Sequence, residues 1–253
     1  MLLPWGCIVP RLVIRLAIAT LLSVWTAAFA FAARAQIETD ANLVTALDVS
    51  DSIMRHEEWL EFEGLAKAVV STAVLEAIAG GRYGRIGFTV FAWSSGRFEV
   101  LVPWSLIGST DGAERVASAL RRFEIDRSAW QRHGNDSDGR LSRPDFQTDI
   151  SGAIDFAAKL KLLAPYASRR TVINIAANGR DNVADGPRAA RDRAVASGIV
   201  INGLVMGDKD ALADYFREHV QGGGGSFVLQ IREPAAVTQA MVEKLLRDLI
   251  AAR

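Results

Sequence analysis

The sequence predicts an α/β fold: a doubly wound, mostly parallel sheet with an antiparallel edge hairpin. Short apolar runs rich in β-branched residues alternate along the chain with longer segments in which apolar residues recur at spacings of three and four. That alternation is typical of parallel strands joined by helices that cover both faces of the sheet. One pair of strand-like runs is separated only by a short polar turn, which indicates the hairpin. A chain of 253 residues is long enough for one large domain of this kind.

The first half of the chain contains the first strand, a long helix and the hairpin. The strand is predicted at Leu43–Leu47, and an amphipathic helix at Glu57–Ala79 follows it. Arg85–Trp93 and Phe98–Trp104 are the two hairpin strands. Pro103 near the end of the second one has no amide hydrogen to donate, which favours a position at the edge of the sheet.

The second half continues the alternation and closes with an amphipathic helix. Its predicted segments, in order, are helices at Thr110–Phe123 and Gly152–Leu163, a strand at Thr171–Ala177, a helix at Gly186–Ser197, a strand at Ile199–Met206, a helix at Asp210–Val220, a strand at Ser226–Ile231 and a helix at Pro234–Ile250. No internal repeat and no second domain is evident.

An irregular polar stretch, Glu124–Gln147, interrupts this pattern. It is longer than most loops of compact domains, which indicates a functional segment, a disordered segment or an insertion. Its Asn135–Gly139 portion has the composition of a calcium loop, but it lacks the spacing and the terminal glutamate of an EF-hand.

The N-terminus has the composition of a secretory signal peptide. Residues 1–35 carry three arginines and no acidic residue, and a continuous apolar run from Leu16 to Ala33 leads to a small-x-small exit at Ala33-Arg34-Ala35. The alternative is an uncleaved membrane anchor, since about 18 apolar residues can just span a bilayer. We expect cleavage after Ala35, a short leader at 36–42 and one domain at 43–253.

Charge and cysteine content restrict the function classes. Basic and acidic residues both number 29, so no basic excess indicates a nucleic-acid partner. The single cysteine, Cys7, lies within the predicted signal peptide, so no disulfide holds the exported chain. We expect a periplasmic or secreted bacterial protein that contacts a membrane only through its signal peptide, if that peptide stays uncleaved.

The first predicted strand ends on a cluster of oxygen-bearing side chains. Asp48 follows the apolar run, and Ser50 and Ser52 come at alternate positions after it. The carboxyl edge of an open α/β sheet is where ligands bind, and hard cations prefer oxygen ligands of this kind. The alternative is structural: either serine could cap the helix that starts near Arg55.

The Asp48-x-Ser50-x-Ser52 pattern resembles the metal-ion-dependent adhesion site of von Willebrand factor type A domains. The resemblance extends from Leu43 to Ile250 and is closest to exported bacterial proteins of uncharacterised function with a von Willebrand type A-like core. It implies that Thr148, ahead of a helix, is a further ligand. It also implies a ligand at Asn178, where the family has an aspartate.

The resemblance implies a bound Mg²⁺, or Mn²⁺ or Ca²⁺ in its place. Asn178 brings no charge to such a site, so its affinity depends on Asp48 and on the nearby carboxylates of Asp51, Asp149 and Asp181. The family's implied activity is recognition of a protein ligand, with an acidic residue of that ligand completing the coordination shell of the ion.

Two other function classes stay open. One is a metal-free interaction scaffold of the cell envelope. The other is a Mg²⁺-dependent hydrolase with Asp48 as a nucleophile, but such sites need a second carboxylate two positions on, where this chain has Ser50. Neither a phosphate-binding glycine loop nor a Ser-His-Asp arrangement is evident, so we expect a binding protein and no enzyme.

Overall fold

The computed structural model describes residues 36–50, 55–94, 96–122, 148–183 and 186–250. The predicted signal peptide, the polar stretch Glu124–Gln147 and Ser52 lie outside these residues. Within the described part of the chain, no helix is long and apolar enough to cross a membrane.

In the described residues, six strands form the main sheet in the spatial order β4-β3-β2-β6-β7-β8. The β3–β4 pair is antiparallel and every other neighbouring pair is parallel. A separate small sheet pairs β1 with β5. The strands are β1 Ile37–Glu38, β2 Asn42–Asp48, β3 Ile86–Ser94, β4 Arg97–Ile107, β5 Tyr166–Ala167, β6 Thr171–Ala177, β7 Ile199–Met206 and β8 Val228–Ile231.

Seven α-helices accompany the strands in the described residues. They are α1 Arg55–Val69, α2 Thr72–Ala79, α3 Thr110–Arg122, α4 Ile150–Leu162, α5 Arg188–Ala196, α6 Asp210–Tyr215 and α7 Val237–Ile250. A π-helical turn, Phe216–Val220, continues α6, and a 3-10 turn, Pro234–Ala236, precedes α7.

The sheet is covered on both faces, as the alternation of strands and helices predicts. Leu43 and Leu47 of β2 pack into the core beneath α1, α2, α3 and α7. Val44 and Ala46, on the opposite face of the same strand, pack into the core beneath α4, α5 and α6. Every residue of β2 is buried, which is typical of a central parallel strand. The predicted fold class is confirmed, and β4, with Pro103, is the antiparallel edge.

The helix predicted at Glu57–Ala79 is two helices, because Ser71 stops the first and caps the second. The Ser71 hydroxyl donates to the carbonyl of Ala68 (2.8 Å) and accepts from the amide of Val74 (3.4 Å). A serine in extended conformation that satisfies an otherwise unpaired amide is a typical N-cap. The apolar periodicity continues across this break, so the sequence pattern alone does not show that there are two helices.

The direction of the strand order reverses at β2, and the carboxyl edge at such a point is where open α/β sheets bind ligands. From β2 the chain passes through α1 and α2 to β3 on one side, while β6 lies on the other side and leads to β7 and β8. Where the connections that follow two neighbouring parallel strands lead to opposite sides of the sheet, the loops separate and leave room for a ligand. Asp48 ends β2 and Asn178 follows β6, so both lie at this edge.

Candidate metal site

Asp48 is fixed at the centre of this edge by the turn that follows β2. Its Oδ1 accepts a hydrogen bond from the amide of Ser50 (2.8 Å), and the amide of Val49 donates to the carbonyl of Trp93 on β3 (2.9 Å). The first bond folds the turn back onto the carboxylate, and the second ties the turn to the neighbouring strand. Asp48 therefore presents its other oxygen away from the turn amide.

That other oxygen, Asp48 Oδ2, is buried and receives no hydrogen bond from any described residue. The residue is 1% exposed, so water does not replace the missing donor at the surface. Burial raises the pKa of Asp48 from 3.8 to about 7, and the hydrogen bonds from Ser50 offset only part of that rise. A cation beside Oδ2 would favour the ionised carboxylate and remove the cost of burying it.

Two hydroxyl groups lie together beside this carboxylate. Ser50 Oγ and Thr148 Oγ1 are 3.4 Å apart, and both residues are buried. Thr148 comes from the loop before α4, which is 98 residues from Ser50 in the sequence. The structure thus brings together three of the predicted metal ligands: Asp48, Ser50 and Thr148.

The loop after β6 holds Thr148 in place from the other side. The amide of Asn182 donates to the carbonyl of Thr148 (3.0 Å). A Cβ atom on Gly179 would lie 3.1 Å from Thr148 Oγ1, so glycine is the residue that lets this loop approach the threonine closely. Asn178, the residue before it, is half-buried, directly follows β6 and contributes to the wall of a neighbouring cleft.

Asp149 and Asp181 serve the start of α4. Asp149 Oδ1 accepts from the amide of Gly152 (2.7 Å), and burial, followed by the charge of Asp181, raises the pKa of Asp149. Asp181 Oδ2 accepts from both the amide and the hydroxyl of Ser151 (2.8 Å each). Carboxylates at a helix N-terminus are stabilised by its free amides and its dipole, so both have a structural task there. The sequence gives no signal for the cap by Asp181, which lies 30 residues away.

The donor set fits a hard cation. A carboxylate oxygen without a hydrogen-bond donor lies beside two hydroxyls, and an amide side chain follows the adjacent strand; all four supply oxygen. Among the described residues, no group of three or more histidine, cysteine, aspartate or glutamate side chains could hold a metal, so any ion here would depend on one carboxylate and neutral oxygens. An ion with few protein ligands that retains several waters is typical of Mg²⁺. Ser52, the remaining predicted ligand, is outside the described residues.

Comparison with solved structures identifies the fold as that of von Willebrand factor type A domains. Proximal thread matrix protein 1 from the mussel byssus, solved with a zinc-occupied metal-ion-dependent adhesion site motif, has a TM-score of 0.54 at 14% identity over 85% of this chain and 49% of that one. The von Willebrand factor type A protein from Catenulispora acidiphila has a TM-score of 0.54 at 15% identity, covering 84% and 43%.

A third structure matches over almost its whole length. The von Willebrand domain of the type V pili tip protein Mfa5 from Porphyromonas gingivalis has a TM-score of 0.56 at 10% identity over 86% of this chain and 97% of that one. The chain spans about half the length of the mussel protein. At these identities the likeness concerns the fold. No curated protein matches the sequence at a significant level.

The molecule is therefore a von Willebrand type A domain by fold. By sequence it belongs to the family described as protein of unknown function (DUF1194), whose family model matches residues 38–253.

Proposed function

We propose that this protein is an exported binding domain that recognises a protein ligand through a divalent-metal site at the carboxyl edge of its sheet. The five ligands in this proposal are Asp48, Ser50, Ser52, Thr148 and Asn178. The observation that carries it is the buried Asp48 carboxylate, whose Oδ2 has no hydrogen-bond donor among the described residues while two hydroxyls lie beside it.

A bound Mg²⁺ would supply open coordination positions filled by exchangeable water. The residues of the chain determine how the site is used. Asp48 provides the charge, Ser50 and Thr148 provide neutral oxygens, and the surrounding apolar core excludes bulk water from the inner side of the site. Few charged ligands leave the ion electron-poor, so an acidic side chain of the partner is the group that best replaces one of its waters.

Two of the structural relatives support this proposal by analogy. The mussel matrix protein carries zinc in the motif that Asp48, Ser50 and Ser52 resemble. The Porphyromonas protein is located at a pilus tip. Both are cases in which the same fold serves proteins of the cell exterior or extracellular matrix.

Thermal unfolding tests the metal site directly. The purified protein is melted in EDTA and then with Mg²⁺, Mn²⁺ or Ca²⁺. An ion that binds only the folded state at a hundredfold excess over its Kd stabilises it by about 2.7 kcal/mol. For a domain of this size, that corresponds to a rise in Tm of about 5–10 °C.

The matched control in this experiment is Asp48→Asn, which keeps the shape of the side chain and its Oδ1 acceptor but removes the charge. Its melting temperature should not respond to any of the ions. A flat response of the unchanged protein to all three ions would contradict the metal site and favour the metal-free interaction scaffold, since Asn178 brings no charge. Hydrolysis of phosphoesters that depends on both Mg²⁺ and Asp48 would instead indicate an enzyme.

Export rests on the arginine-rich, apolar N-terminus. Expression of the full chain in a bacterial host should yield a periplasmic or secreted product, and its intact mass should correspond to a chain that begins at Gln36. A product that keeps residues 1–35 and sediments with membranes would show that the segment is an anchor.

A further inference from the structure

The most exposed large apolar side chains of the described chain lie at the amino edge of the sheet, where α4 ends. Leu162, the last residue of α4, is 81% exposed, and Leu163, which follows it, is 72% exposed. Ile37 of β1 is 45% exposed and pairs with Tyr166, three residues after Leu163. Among the described residues six large apolar side chains are exposed, and three of them lie at this edge. Apolar exposure concentrated in one place indicates an interaction surface.

Four arginines lie at the same edge: Arg82 and Arg85 before β3, and Arg169 and Arg170 before β6. Contacts through Tyr83 and β1 connect the two pairs. Arg82 lies over the ring of Tyr83, 5.4 Å from its centroid, and Nε of Arg85 donates to the carbonyl of Glu38 (2.9 Å). The hydrogen bond between Tyr83 and Glu38 raises the pKa of Tyr83, and the nearby charges of Arg82 and Arg169 oppose that rise. The arginines and the exposed apolar side chains therefore belong to one surface.

Within the described chain, none of these four arginines forms an ion pair with a carboxylate. Arg188 and Arg193, elsewhere on the surface, each bind an acidic side chain. The acidic residues of the adjoining segments are Glu38 and Asp40, and Asp40 accepts hydrogen bonds from two backbone amides (3.0 and 3.3 Å). Four guanidinium groups against two carboxylates leave these segments with a net positive charge.

An acidic lipid bilayer supplies a partner for both kinds of side chain. Its phosphate groups accept paired hydrogen bonds from guanidinium groups, which are weakly hydrated and match phosphate geometry. The outer part of its acyl region receives apolar side chains that lie beside basic ones. Tyr83 and Tyr166 are of a residue type that is enriched at the boundary between headgroups and hydrocarbon. A bilayer offers these groups over a wide area, so it fits side chains that come from three separate connections of the chain.

We propose that the amino edge of the sheet binds the surface of an anionic phospholipid bilayer. The arginines contact lipid phosphates, and Ile37, Leu162 and Leu163 enter the outer part of the acyl region. The sequence alone predicts membrane contact only through the N-terminal segment, so this is a second contact. It goes beyond the proposed function and requires no metal ion. With the amino edge on a membrane, the candidate metal site at the carboxyl edge lies on the far side of the sheet, where a partner can reach it.

Cosedimentation with lipid vesicles tests the proposal. The product purified after expression of the full chain is mixed in EDTA with vesicles of phosphatidylcholine alone, or of phosphatidylcholine and phosphatidylglycerol in equal parts. We expect the acidic vesicles to bind at least about tenfold more tightly, since each arginine near an acidic surface contributes about a factor of five. Raising the NaCl concentration from about 0.05 M to about 0.5 M should remove most of this difference, because exposed charges are screened.

A pair of double variants separates local charge from net charge. Arg82→Gln combined with Arg169→Gln should weaken binding to the acidic vesicles at least about tenfold. Arg122→Gln combined with Arg232→Gln is the matched control, because it changes the net charge by the same amount at two exposed positions away from the amino edge. Arg122 ends α3, and Arg232 follows β8. The control should leave the affinity unchanged.

A second pair of variants tests the apolar side chains. Leu162→Ser combined with Leu163→Ser should weaken binding to the acidic vesicles about tenfold, because less apolar surface is removed from water in the bound state. Its thermal melt should match that of the unchanged protein, since both leucines are exposed in the folded state. Trp59→Ser is the control: Trp59 is 60% exposed on α1, near the opposite edge of the sheet, and its loss should leave the affinity unchanged.

Two results would overturn the inference: equal binding to acidic and neutral vesicles, or equal losses from the edge variants and their controls. If the leucine variant changes self-association in sedimentation velocity but not lipid binding, the edge is an interface between copies of this chain, and the proposal is wrong. A product that keeps residues 1–35 carries that segment in every variant, so the paired comparisons still decide. The assays exclude metal ions, so failure of lipid binding leaves the metal site untouched, and a flat melt with metal ions leaves the lipid surface untouched.

Discussion

At the scale of single residues, Asp48 combines burial with the lack of a hydrogen-bond donor within the described chain. Its carboxylate is buried, one of its oxygens lacks a hydrogen-bond donor among the described residues, and its pKa is raised to about 7. Groups with strongly shifted pKa values are concentrated at functional sites, where a bound ligand can supply the interaction that the folded chain lacks.

The stability of the metal-free protein should depend on Asp48 and pH together. The unfolded carboxyl titrates near 3.8 and the folded one near 7, so the folded state binds more protons between these values. The raised pKa therefore favours folding at low pH, and this contribution is lost as pH rises from about 4 through 7. A difference of about three pKa units corresponds to roughly 4 kcal/mol.

Asp48→Asn removes this titration, so in EDTA the variant should be more stable than the wild type at pH 8, by up to roughly 4 kcal/mol. The two proteins should be close in stability near pH 4. Urea unfolding at the two pH values measures the difference. If the variant is destabilised equally at both, Asp48 acts only as a structural cap.

Asn178 offers a gain of function at the same scale. Asn178→Asp adds the carboxylate that the resemblance places at this position, and added ligand charge raises the affinity of a hard-ion site. We expect Mg²⁺ to bind at least about tenfold more tightly, as measured by calorimetry. Asn182→Asp is the control, since it adds the same charge to an exposed position of the same loop. Equal gains from both variants would show a general electrostatic effect and no ligand at Asn178.

At the scale of elements, α7 is held to the sheet by a buried polar cluster. Asp248 accepts hydrogen bonds from the side-chain amides of Asn174 on β6 (2.9 Å) and Asn202 on β7 (2.7 Å). Lys244, one helical turn earlier, donates to the same carboxylate (3.0 Å), and burial lowers its pKa. These contacts join two neighbouring strands and one helix through a single carboxylate.

Removing that carboxylate should lower the free energy of unfolding by several kcal/mol. Asp248→Ala leaves a buried lysine and two amides without their acceptor, and the loss of one partner of a buried ion pair costs about 3–5 kcal/mol. Glu243→Ala on the same helix removes the exposed ion pair with Arg247, also at i,i+4 spacing, and should cost less than about 1 kcal/mol. Urea unfolding of both variants measures the contrast. Similar costs would mean that the cluster contributes no more than a surface pair.

The elements themselves differ in how well the sequence predicts them. Buried parallel strands are predicted almost to the residue, as at Thr171–Ala177 and Ile199–Met206, because most of their positions are β-branched or otherwise apolar. The division of the first long helix at Ser71 is missed, since it depends on one side chain binding two backbone groups. The pairing of Asn174 with Asp248 is also missed, because 74 residues separate them and neither periodicity nor motif connects them.

At the scale of the whole molecule, the sheet topology determines which parts of the site can be foreseen. Parallel strands end at one edge, so residues at or just after strand ends, such as Asp48 and Asn178, can be assigned to the same edge from sequence. Thr148 precedes a helix and is assigned by family resemblance alone, and the structure places its hydroxyl 3.4 Å from that of Ser50.

The small β1–β5 sheet lies at the amino edge of the main sheet, opposite the proposed ligand site. The amide of Thr39 donates to the carbonyl of Ala167, and Asn42 begins β2 beside Arg170, all at the amino edge of the main sheet. From Asn42 to Asp48 the strand advances about 20 Å. The first strands of the domain and the proposed ligand site therefore lie at opposite ends of the sheet.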